Sequence, residues 1–380
     1  MSKKTRIVEC WPSWRLKSSS VEAYVTETGG HLAPVVFDRK RHRFQPYSVA
    51  PWCCEKLPDQ PRIIQVLRGD FFCLPFGGNA KPHQGEQHPV HGETANRTWK
   101  CVANTTKAGE HVLHLRLKTK IRPGTVDKFV GLRDGENVVY CRDVLTGFRG
   151  RMNLGHHATL RFPDREGSGL ISTSPFVHGQ VFVEPTELPA QKGYSLLAPG
   201  ARFTDLRQVR TITHELADLS RYPARRGFED IAILVADPKL DVAWTAVSFP
   251  QEHCVWFALK DPKVLASTLI WHSNGGRYMP PWSGRHVNVI GLEEITSYFH
   301  YGLHESVTPN TLSRKGYRTC VELSPKRPTV INYIMACVPA PAGFDRVKRL
   351  DVAANGKAVV LRSENGKRLR VAVDVDFLKG

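Results

Sequence analysis

Residues 111–118 of this 380-residue chain read His-Val-Leu-His-Leu-Arg-Leu-Lys, and their leucines recur at every second position. Leu113, Leu115 and Leu117 therefore fall on one side of an extended chain, because successive side chains of a strand point to opposite faces. An amphipathic helix would instead need apolar residues three or four positions apart. This stretch predicts a half-buried β-strand with one face in the protein core and one face exposed to solvent.

Two other regions show the same signal around turn-forming residues. Apolar runs within residues 130–144 surround a turn-rich segment at 133–137, and those within residues 359–375 surround a second one at 363–367. Gly, Asn and Asp in such short connections favour β-hairpins. Each region predicts a pair of antiparallel strands.

Helical periodicity is scarce in this sequence. Only residues 263–269, after Asp261-Pro262, predict a short helix. We therefore expect an all-β protein with large packed antiparallel sheets and few short helices. No repeat or long linker divides the chain, so we expect one domain over residues 1–380. A small C-terminal β-hairpin appendage at residues 343–380 is the candidate subdivision.

The composition is that of a globular chain, with 41% hydrophobic and 23% charged residues. No stretch approaches the roughly 18 apolar residues of a membrane span, so we expect no membrane segment. The first twenty residues carry basic groups without the apolar run of a secretory signal. Nine cysteines without Cys-x-x-Cys spacing favour a reducing cytoplasm over a disulfide framework or a thiolate zinc site.

The formal net charge of +17 raises the question of nucleic acid. Lys and Arg are spread along the whole chain without a recognition-helix pattern, as in segment 38–43. A solvated basic surface is the simplest interpretation, and attraction of an anionic sugar or a phosphate is the alternative. We expect no specific nucleic-acid partner.

Three segments concentrate proton-transfer groups beside turn residues. They are residues 69–99, 153–160 and 271–294. A single histidine is more often a structural residue than a catalyst, and the chain has sixteen. The order of the three segments along the chain is more informative than any one histidine.

This order resembles the aldose 1-epimerase, or galactose mutarotase-like, superfamily. The resemblance extends loosely over residues 20–340, with a hairpin before the second motif. The motifs that carry it are His91-Gly92 with Trp99, Asn153-Leu154-Gly155-His156-His157, and Gly291-Leu292-Glu293.

The resemblance implies a β-supersandwich with a concave sugar-binding face, and it implies roles for three residues. His157 would be the general acid, Glu293 the general base and His91 a substrate-binding partner. Anomer interconversion removes the proton of the C1 hydroxyl and protonates the ring oxygen, so one base and one acid suffice. Neither a metal nor an organic cofactor is required.

The sequence departs from the family pattern after His157, where the chain continues Ala158-Thr159-Leu160 in place of the usual Pro or Ser followed by Tyr-Phe. The doublets His156-His157 and Glu293-Glu294 also leave the register open by one residue. In a strand only one member of each doublet can face the ligand. The motif spacing favours His157 and Glu293.

Five other residues are candidates for binding the substrate, a monosaccharide or sugar derivative that could be anionic. Arg277 and Arg285 can donate paired hydrogen bonds to hydroxyls, a carboxylate or a phosphate. Trp282 offers an apolar platform to a sugar face, and Asn79 lies in the first segment. Asp230 occupies the interval in which the family usually has an Asp. For the two arginines and Trp282, a purely structural role is the competing interpretation.

Other functions remain open. The altered residues after His157 could mark a non-catalytic carbohydrate-binding protein on the same fold. A metal-dependent cupin-type barrel is suggested by His83, His88, His91 and Glu93, although the usual His-x-His pattern is absent. A lyase or glycoside hydrolase would need two carboxylates at a suitable separation. The sequence leaves the sugar, its phosphorylation and the oligomeric state open.

Overall fold

The computed structural model describes residues 4–380, with about 47% of residues in strands and 6% in helices. The predicted all-β class is confirmed. Numbered in chain order, the strands are β1 (Arg6–Val8), β2 (Trp11–Lys17), β3 (Glu22–Thr26), β4 (Leu32–Val36), β5 (Phe72–Cys73), β6 (Lys100–Lys107), β7 (Glu110–Thr119), β8 (Gly124–Arg133), β9 (Val138–Thr146), β10 (Gly150–Met152), β11 (Leu154–Arg161), β12 (Gly169–Thr173), β13 (Phe176–Val181), β14 (Arg202–Phe203), β15 (Val209–Arg210), β16 (Leu216–Ala217), β17 (Arg221–Tyr222), β18 (Phe228–Ala236), β19 (Ala243–Phe249), β20 (Cys254–Lys260), β21 (Ser267–Asn274), β22 (Val289–Thr296), β23 (Val321–Leu323), β24 (Thr329–Pro339), β25 (Val347–Val352), β26 (Ala358–Ser363) and β27 (Arg368–Ala372).

Helices are few and short in the described chain. Two are α-helical, α1 (Arg62–Val66) and α2 (Leu303–Val307). Three 3₁₀ turns lie at Pro189–Gln191, Ser313–Lys315 and Val375–Lys379. None of the helices between residues 4 and 380 is long and apolar enough to cross a membrane.

Two large sheets dominate the architecture. A nine-stranded sheet has the order β17-β12-β19-β20-β24-β9-β8-β7-β6, and a seven-stranded sheet has the order β14-β13-β18-β21-β22-β11-β5. Long antiparallel pairings build both sheets, for example β7 with β8 and β18 with β21. The seven-stranded sheet has a back face, which packs on the nine-stranded sheet, and a front face on the opposite side.

The main core lies between these two sheets. Leu113, Leu115 and Leu117 are buried there, so the alternation that predicted β7 is confirmed. Trp256 from the nine-stranded sheet and Leu292 from the seven-stranded sheet belong to the same apolar cluster. Burial of apolar surface at roughly 25 cal/mol per Å² makes this interior the main source of stability.

The predicted hairpin around residues 133–137 is confirmed, because β8 and β9 pair antiparallel across it. The hairpin around residues 363–367 is confirmed as β26 and β27, and a third strand, β25, extends it. The short helix predicted at residues 263–269 is wrong. β21 begins at Ser267 and lies between β18 and β22, so its backbone groups are satisfied by the sheet instead.

Two smaller sheets cover the sandwich. β1–β4 form a four-stranded sheet whose apolar residues join the main core. β25–β27 form a three-stranded sheet whose Val359, Leu361 and Val371 pack with Trp244 and Phe257 on the outer side of the nine-stranded sheet. The description of residues 343–380 as an appendage stays a prediction.

A disulfide joins Cys10 to Cys54, whose Cα atoms are 5.3 Å apart. The expectation that the cysteines form no disulfide is therefore wrong for this pair, and the other seven form no disulfide. The sequence does not reveal the pairing because 44 residues separate the two cysteines. Contact between the β1–β2 turn and the segment before α1 brings them together.

Candidate active site

Strands β11 and β22 position the candidate catalytic residues. They pair antiparallel, and the register sets His157 opposite Glu293 and His156 opposite Glu294. Because side chains alternate along a strand, the two pairs point to opposite faces of the sheet. His157 and Glu293 lie on the front face, and His156 and Glu294 lie on the back face.

His157 and Glu293 are in direct contact. Nε2 of His157 lies 3.2 Å from Oε1 of Glu293, and both side chains are buried. Gly291, two residues before Glu293 on the same face, makes room for the carboxyl group. A Cβ at position 291 would lie 2.4 Å from Oε1 of Glu293. Gly291 therefore lets the Glu293 carboxyl keep this position, which a Cβ at 291 would force it to leave.

The His157 ring is held on several sides. It stacks on Phe71 with ring centroids 4.5 Å apart, and Trp271 packs against it edge-on. The His157 backbone N–H donates to the Phe71 carbonyl, and Nδ1 lies 3.2 Å from Oγ1 of Thr159. These contacts fix the ring with Nε2 directed at Glu293.

Burial shifts both groups toward their neutral forms. It lowers the pKa of His157 to about 3 and raises the pKa of Glu293 well above its ordinary value. Removal from water disfavours a charged group of either sign, which explains the opposite directions. Between these two pKa values the pair holds one proton. Perturbed acid and base groups in a cavity are typical of active sites.

A cavity of about 160 Å³ opens beside the pair. At about 30 Å³ per water molecule it has room for about five waters, the scale of one small ring. Its walls combine apolar side chains with imidazoles and one guanidinium. The lining residues are Ile63, Ile64, Leu67, Gly78, Val90, His91, His157, Ile231, Leu269, Trp271, Arg277, Trp282, Glu293 and His300.

His91, predicted from the sequence to bind substrate, lines the cavity. Its Nδ1 accepts a hydrogen bond from the Gly77 backbone N–H, which leaves Nε2 as the protonated nitrogen of the neutral ring. Its centroid is 4.9 Å from that of His157. The following Gly92 has a positive φ of 74°, and a Cβ there would lie 1.9 Å from the Leu74 carbonyl oxygen. No residue other than glycine fits at position 92, and the tight turn that Gly92 allows places the His91 imidazole at the cavity.

Arg277 and Trp282 also reach the cavity. The Arg277 guanidinium lies over the Trp282 ring, 4.5 Å from its centroid, and its Nε donates to Glu187. Among the described residues, its two Nη groups donate no hydrogen bond. Arg277 is the cation of the cavity wall.

Three other candidates lie elsewhere. Asn79 is buried beside the cavity, where its amide binds loop backbone, including the Gly77 carbonyl and the Leu303 N–H. Asp230 points to the back face, opposite His157. Arg285 pairs with Glu55 at the surface and contacts Trp52, outside the lining residues.

Glu229, the neighbour of Asp230, is the front-face carboxyl in this interval. It accepts hydrogen bonds from Nε1 of Trp271 and from Oγ of Ser273. Burial raises its pKa to about 8, and nearby Arg277 opposes the rise. Glu229 thereby fixes the Trp271 indole that forms the cavity floor.

Solved structures of similar architecture support the sequence resemblance. A galactose mutarotase-like protein from Clostridium acetobutylicum aligns over 88% of this chain and 98% of its own, with 10% identity and a TM-score of 0.60. A galactose mutarotase related enzyme from Lactobacillus acidophilus aligns over 89% and 100%, with 11% identity and a TM-score of 0.54. A proposed aldose 1-epimerase from Escherichia coli K12 aligns over 86% and 99%, with 15% identity and a TM-score of 0.57.

This chain has the galactose mutarotase-like fold. The predicted β-supersandwich is confirmed, and so is the resemblance in architecture. No protein-family model and no curated protein sequence matches the chain. At identities of 10–15% the likeness concerns the fold.

Within this galactose mutarotase-like fold, sequence reasoning missed several residues of the cavity. Ile63, Ile64 and Leu67 come from α1 and its end, where no motif marks them. His300 follows β22 in a loop, and burial lowers its pKa to about 4. Glu229 could have been found by counting alternate positions along β18.

The residues that suggested a cupin-type metal site do not converge in the galactose mutarotase-like fold. His83 contacts His304, His88 contacts Glu86, and Glu93 binds Arg97 and nearby backbone N–H groups. Over residues 4–380 no group of three or more His, Cys, Asp or Glu side chains could hold a metal ion.

Proposed function

We propose that this protein is an aldose 1-epimerase-like isomerase that interconverts the anomers of a monosaccharide. The observation that carries the proposal is the 3.2 Å contact between Nε2 of His157 and Oε1 of Glu293 at a ring-sized cavity. An imidazole and a carboxyl that share one proton can supply the acid and the base that ring opening needs. The resemblance adds the role of each group.

Ring opening transfers two protons. Glu293, as carboxylate, takes the proton of the C1 hydroxyl, and His157, as imidazolium, protonates the ring oxygen. Rotation about the C1–C2 bond then turns the other face of the aldehyde toward the C5 hydroxyl. In ring closure His157 takes a proton back and Glu293 returns one to O1. Both groups end in their starting state, so no cofactor is consumed.

The starting state requires the shared proton on His157, whereas burial in the empty cavity favours it on Glu293. The two arrangements contain the same number of protons and differ by one transfer across 3.2 Å. Sugar hydroxyls in the cavity would hydrogen-bond to the charged forms and offset part of their burial penalty. The exchange rate should therefore fall below pH of about 3 and above the raised pKa of Glu293.

The substrate we propose is an aldose that carries an anionic group. Arg277 can donate paired hydrogen bonds from its Nη groups to a carboxylate or phosphate. Glu187 binds only the Nε of Arg277, and Trp282 supports the guanidinium, so both Nη groups remain available to an anionic group. Trp271 and Trp282 give the apolar C–H face of the sugar a platform.

The test is the rate of anomer exchange, measured by NMR on neutral aldoses and on their uronate and phosphate forms. We expect His157→Asn and Glu293→Gln each to slow exchange by about 10²- to 10⁴-fold. The matched controls are His214→Asn and Glu215→Gln, two exposed residues outside the cavity. Exchange no faster than in buffer, or unchanged rates in both cavity variants, would contradict the proposal.

A carbohydrate-binding protein without catalysis is the second candidate. The observation that favours it is the apolar character of much of the cavity wall, with Ile63, Ile64 and Leu67 beside the acid–base pair. Binding of a sugar without accelerated exchange would select this function. The same NMR experiment therefore separates the two candidates.

We also propose a cytoplasmic location, supported by seven free thiols, five of them buried. The Cys10–Cys54 disulfide argues in the other direction, since disulfides are rare in that compartment. Alkylation of thiols in cells lysed directly into denaturant, which exposes the buried cysteines, tests the location. Nine alkylated cysteines are expected in the cytoplasm and seven in an oxidising compartment.

A further inference from the structure

A second and larger cavity, of about 420 Å³, lies on the back face of the seven-stranded sheet. It occupies the edge of the sandwich, between β18 and β21 on one side and β17 on the other. Its volume falls within the range of about 300–1,000 Å³ that is usual for small-molecule pockets. The sheet itself separates this edge cavity from the acid–base pair.

The floor of the edge cavity contains a buried imidazole. His272 is 6% exposed, and its Nε2 has no hydrogen-bond partner among the described residues. The ring stacks on Tyr222 with centroids 5.0 Å apart. Leaving a buried polar atom without a partner is unfavourable, so the His272 ring is an unsatisfied hydrogen-bonding group at the floor of the cavity.

Two of the three carboxyl groups at the edge cavity are already engaged by the protein. Asp230 accepts hydrogen bonds from the Leu196 and Leu197 backbone N–H groups, at 2.8–3.1 Å. Asp218 accepts from both the N–H and the hydroxyl of Ser220. The third, Glu166, is exposed at the mouth.

The two arginines at the mouth have no such partner. Arg221 and Arg225 form no ion pair with a described carboxylate, and Arg225 instead lies over the Phe228 ring. The adjacent Arg226, by contrast, pairs with Asp164. Arg221 and Arg225 therefore offer the mouth two guanidinium groups whose donors have no described carboxylate partner.

We propose that the edge cavity binds a small anionic molecule with an apolar body. Arg221 and Arg225 would hold its phosphate or carboxylate group, and the His272 ring would lie beside it. Tyr222, Phe228 and Leu197 would cover the apolar part. This ligand is separate from the proposed sugar substrate, because the cavity has no wall in common with the acid–base pair.

Phenyl phosphate and benzoate test the proposal, with benzyl alcohol as the neutral analogue. Binding is measured by calorimetry and by the ¹⁵N resonance of the His272 ring, assigned by its loss in His272→Phe. We expect one or both anions to bind and to shift this resonance. The double variant Arg221→Gln/Arg225→Gln should weaken binding about tenfold or more, since it removes two charge-assisted contacts. Phenyl phosphate preferred over benzoate identifies a phosphate ligand, and the reverse preference a carboxylate.

Two matched variants locate the binding. Arg226→Gln, beside the mouth, should leave affinity within about twofold, and Arg277→Gln, in the other cavity, should do the same. Loss of binding in Arg277→Gln with retention in the double variant would place the ligand at the acid–base pair and overturn the proposal. Equal binding of benzyl alcohol, or no binding of either anion, would also overturn it.

Discussion

Histidine and glutamate have opposite electrostatic environments on the two faces of the seven-stranded sheet. On the front face, His157 and Glu293 are buried without a separate counter-charge, and burial moves each pKa toward the neutral form. On the back face, His156 contacts Asp70 at 2.9 Å and Asp143 at 3.3 Å. Burial alone would lower the pKa of His156, but these carboxylates raise it above the ordinary value.

The glutamates show the same contrast. Glu294 pairs with the Lys260 ammonium and accepts hydrogen bonds from the hydroxyls of Thr245 and Thr268. Glu293 has no cation beside it, and its contact is the imidazole. Burial beside a group of opposite charge favours the charged forms of both, and burial without such a partner favours the neutral form. Whether a residue of the strand faces the front or the back of the sheet decides which of these two environments it has.

The largest expected effect is on chemistry at the front face. We expect Glu293→Gln to slow anomer exchange by about 10²- to 10⁴-fold, because the carboxyl that moves the proton is lost. The free energy of unfolding should fall by less than about 1 kcal/mol, since a neutral amide replaces a carboxyl that is already neutral in the folded protein. Exchange kinetics and urea unfolding of the same sample give both numbers. A large loss of stability would show that Glu293 is a structural ion like Glu294.

Back-face substitution should have the reverse profile. Lys260→Met leaves the Glu294 carboxylate buried without its cation and should cost about 3–5 kcal/mol of unfolding free energy. The double variant Lys260→Met/Glu294→Met removes both charges and should recover much of that loss. Urea denaturation measures each variant. A single variant as stable as the native protein would remove the distinction between the faces.

Stability should depend on pH through the uncompensated groups. Burial gives lowered pKa values to His31, His91, His157, His272, His286 and His300. Below pH of about 6.5 the unfolded chain protonates these rings and the folded protein does not, so stability falls with decreasing pH. Each ring contributes up to about 1.4 kcal/mol per pH unit.

Buried carboxyls with raised pKa values act in the opposite direction. The pKa of Asp230 is about 7 and that of Glu229 about 8, and the pKa of Glu293 is also raised. Their stabilising contribution is complete below the unfolded pKa, near 4.3, and is lost as pH rises through the folded values. Because the six imidazoles outnumber the three carboxyls, we expect maximum stability between about pH 6 and 7. Urea midpoints from pH 4 to 9 measure this, and a midpoint that rises steadily toward pH 4 would contradict it.

The smallest expected effect concerns the charge of the cavity wall. Arg277→Gln should weaken binding of an anionic sugar about tenfold and that of the neutral parent sugar by less than about twofold. Titration calorimetry with the two ligands measures the difference. Arg285→Gln is the matched control, because that side chain pairs with Glu55 outside the cavity. Equal losses for both sugars would assign Arg277 a structural role.

Much of the sandwich could be predicted because alternation is a local property. The strand at residues 111–118 and the hairpin around 133–137 follow from the spacing of apolar and turn residues. The sheet order could not be read in this way, because β11 pairs with β22 across more than 120 residues. The predicted helix at 263–269 failed for the same reason, as the neighbouring strands impose the extended form.

The site could be predicted where a sequence motif reflects a steric constraint. Gly92 after His91 is such a case, since a side chain there would clash with backbone, and a Cβ at Gly291 would displace the Glu293 carboxyl. Asp230 was selected by position in the chain, and its strand turns it to the back face. The three apolar residues of the α1 region carry no motif, so only the folded chain reveals them.

The doublets in β11 and β22 bear on where related sequences can gain or lose residues. A slip of either strand by one place would still offer an imidazole or a carboxyl to the cavity, because each doublet repeats its chemistry. The slip would leave Asp70 and Lys260 buried without their partners, because those partners would turn to the other face of the sheet. Insertions and deletions should therefore be excluded from these two strands by residues that take no part in any reaction.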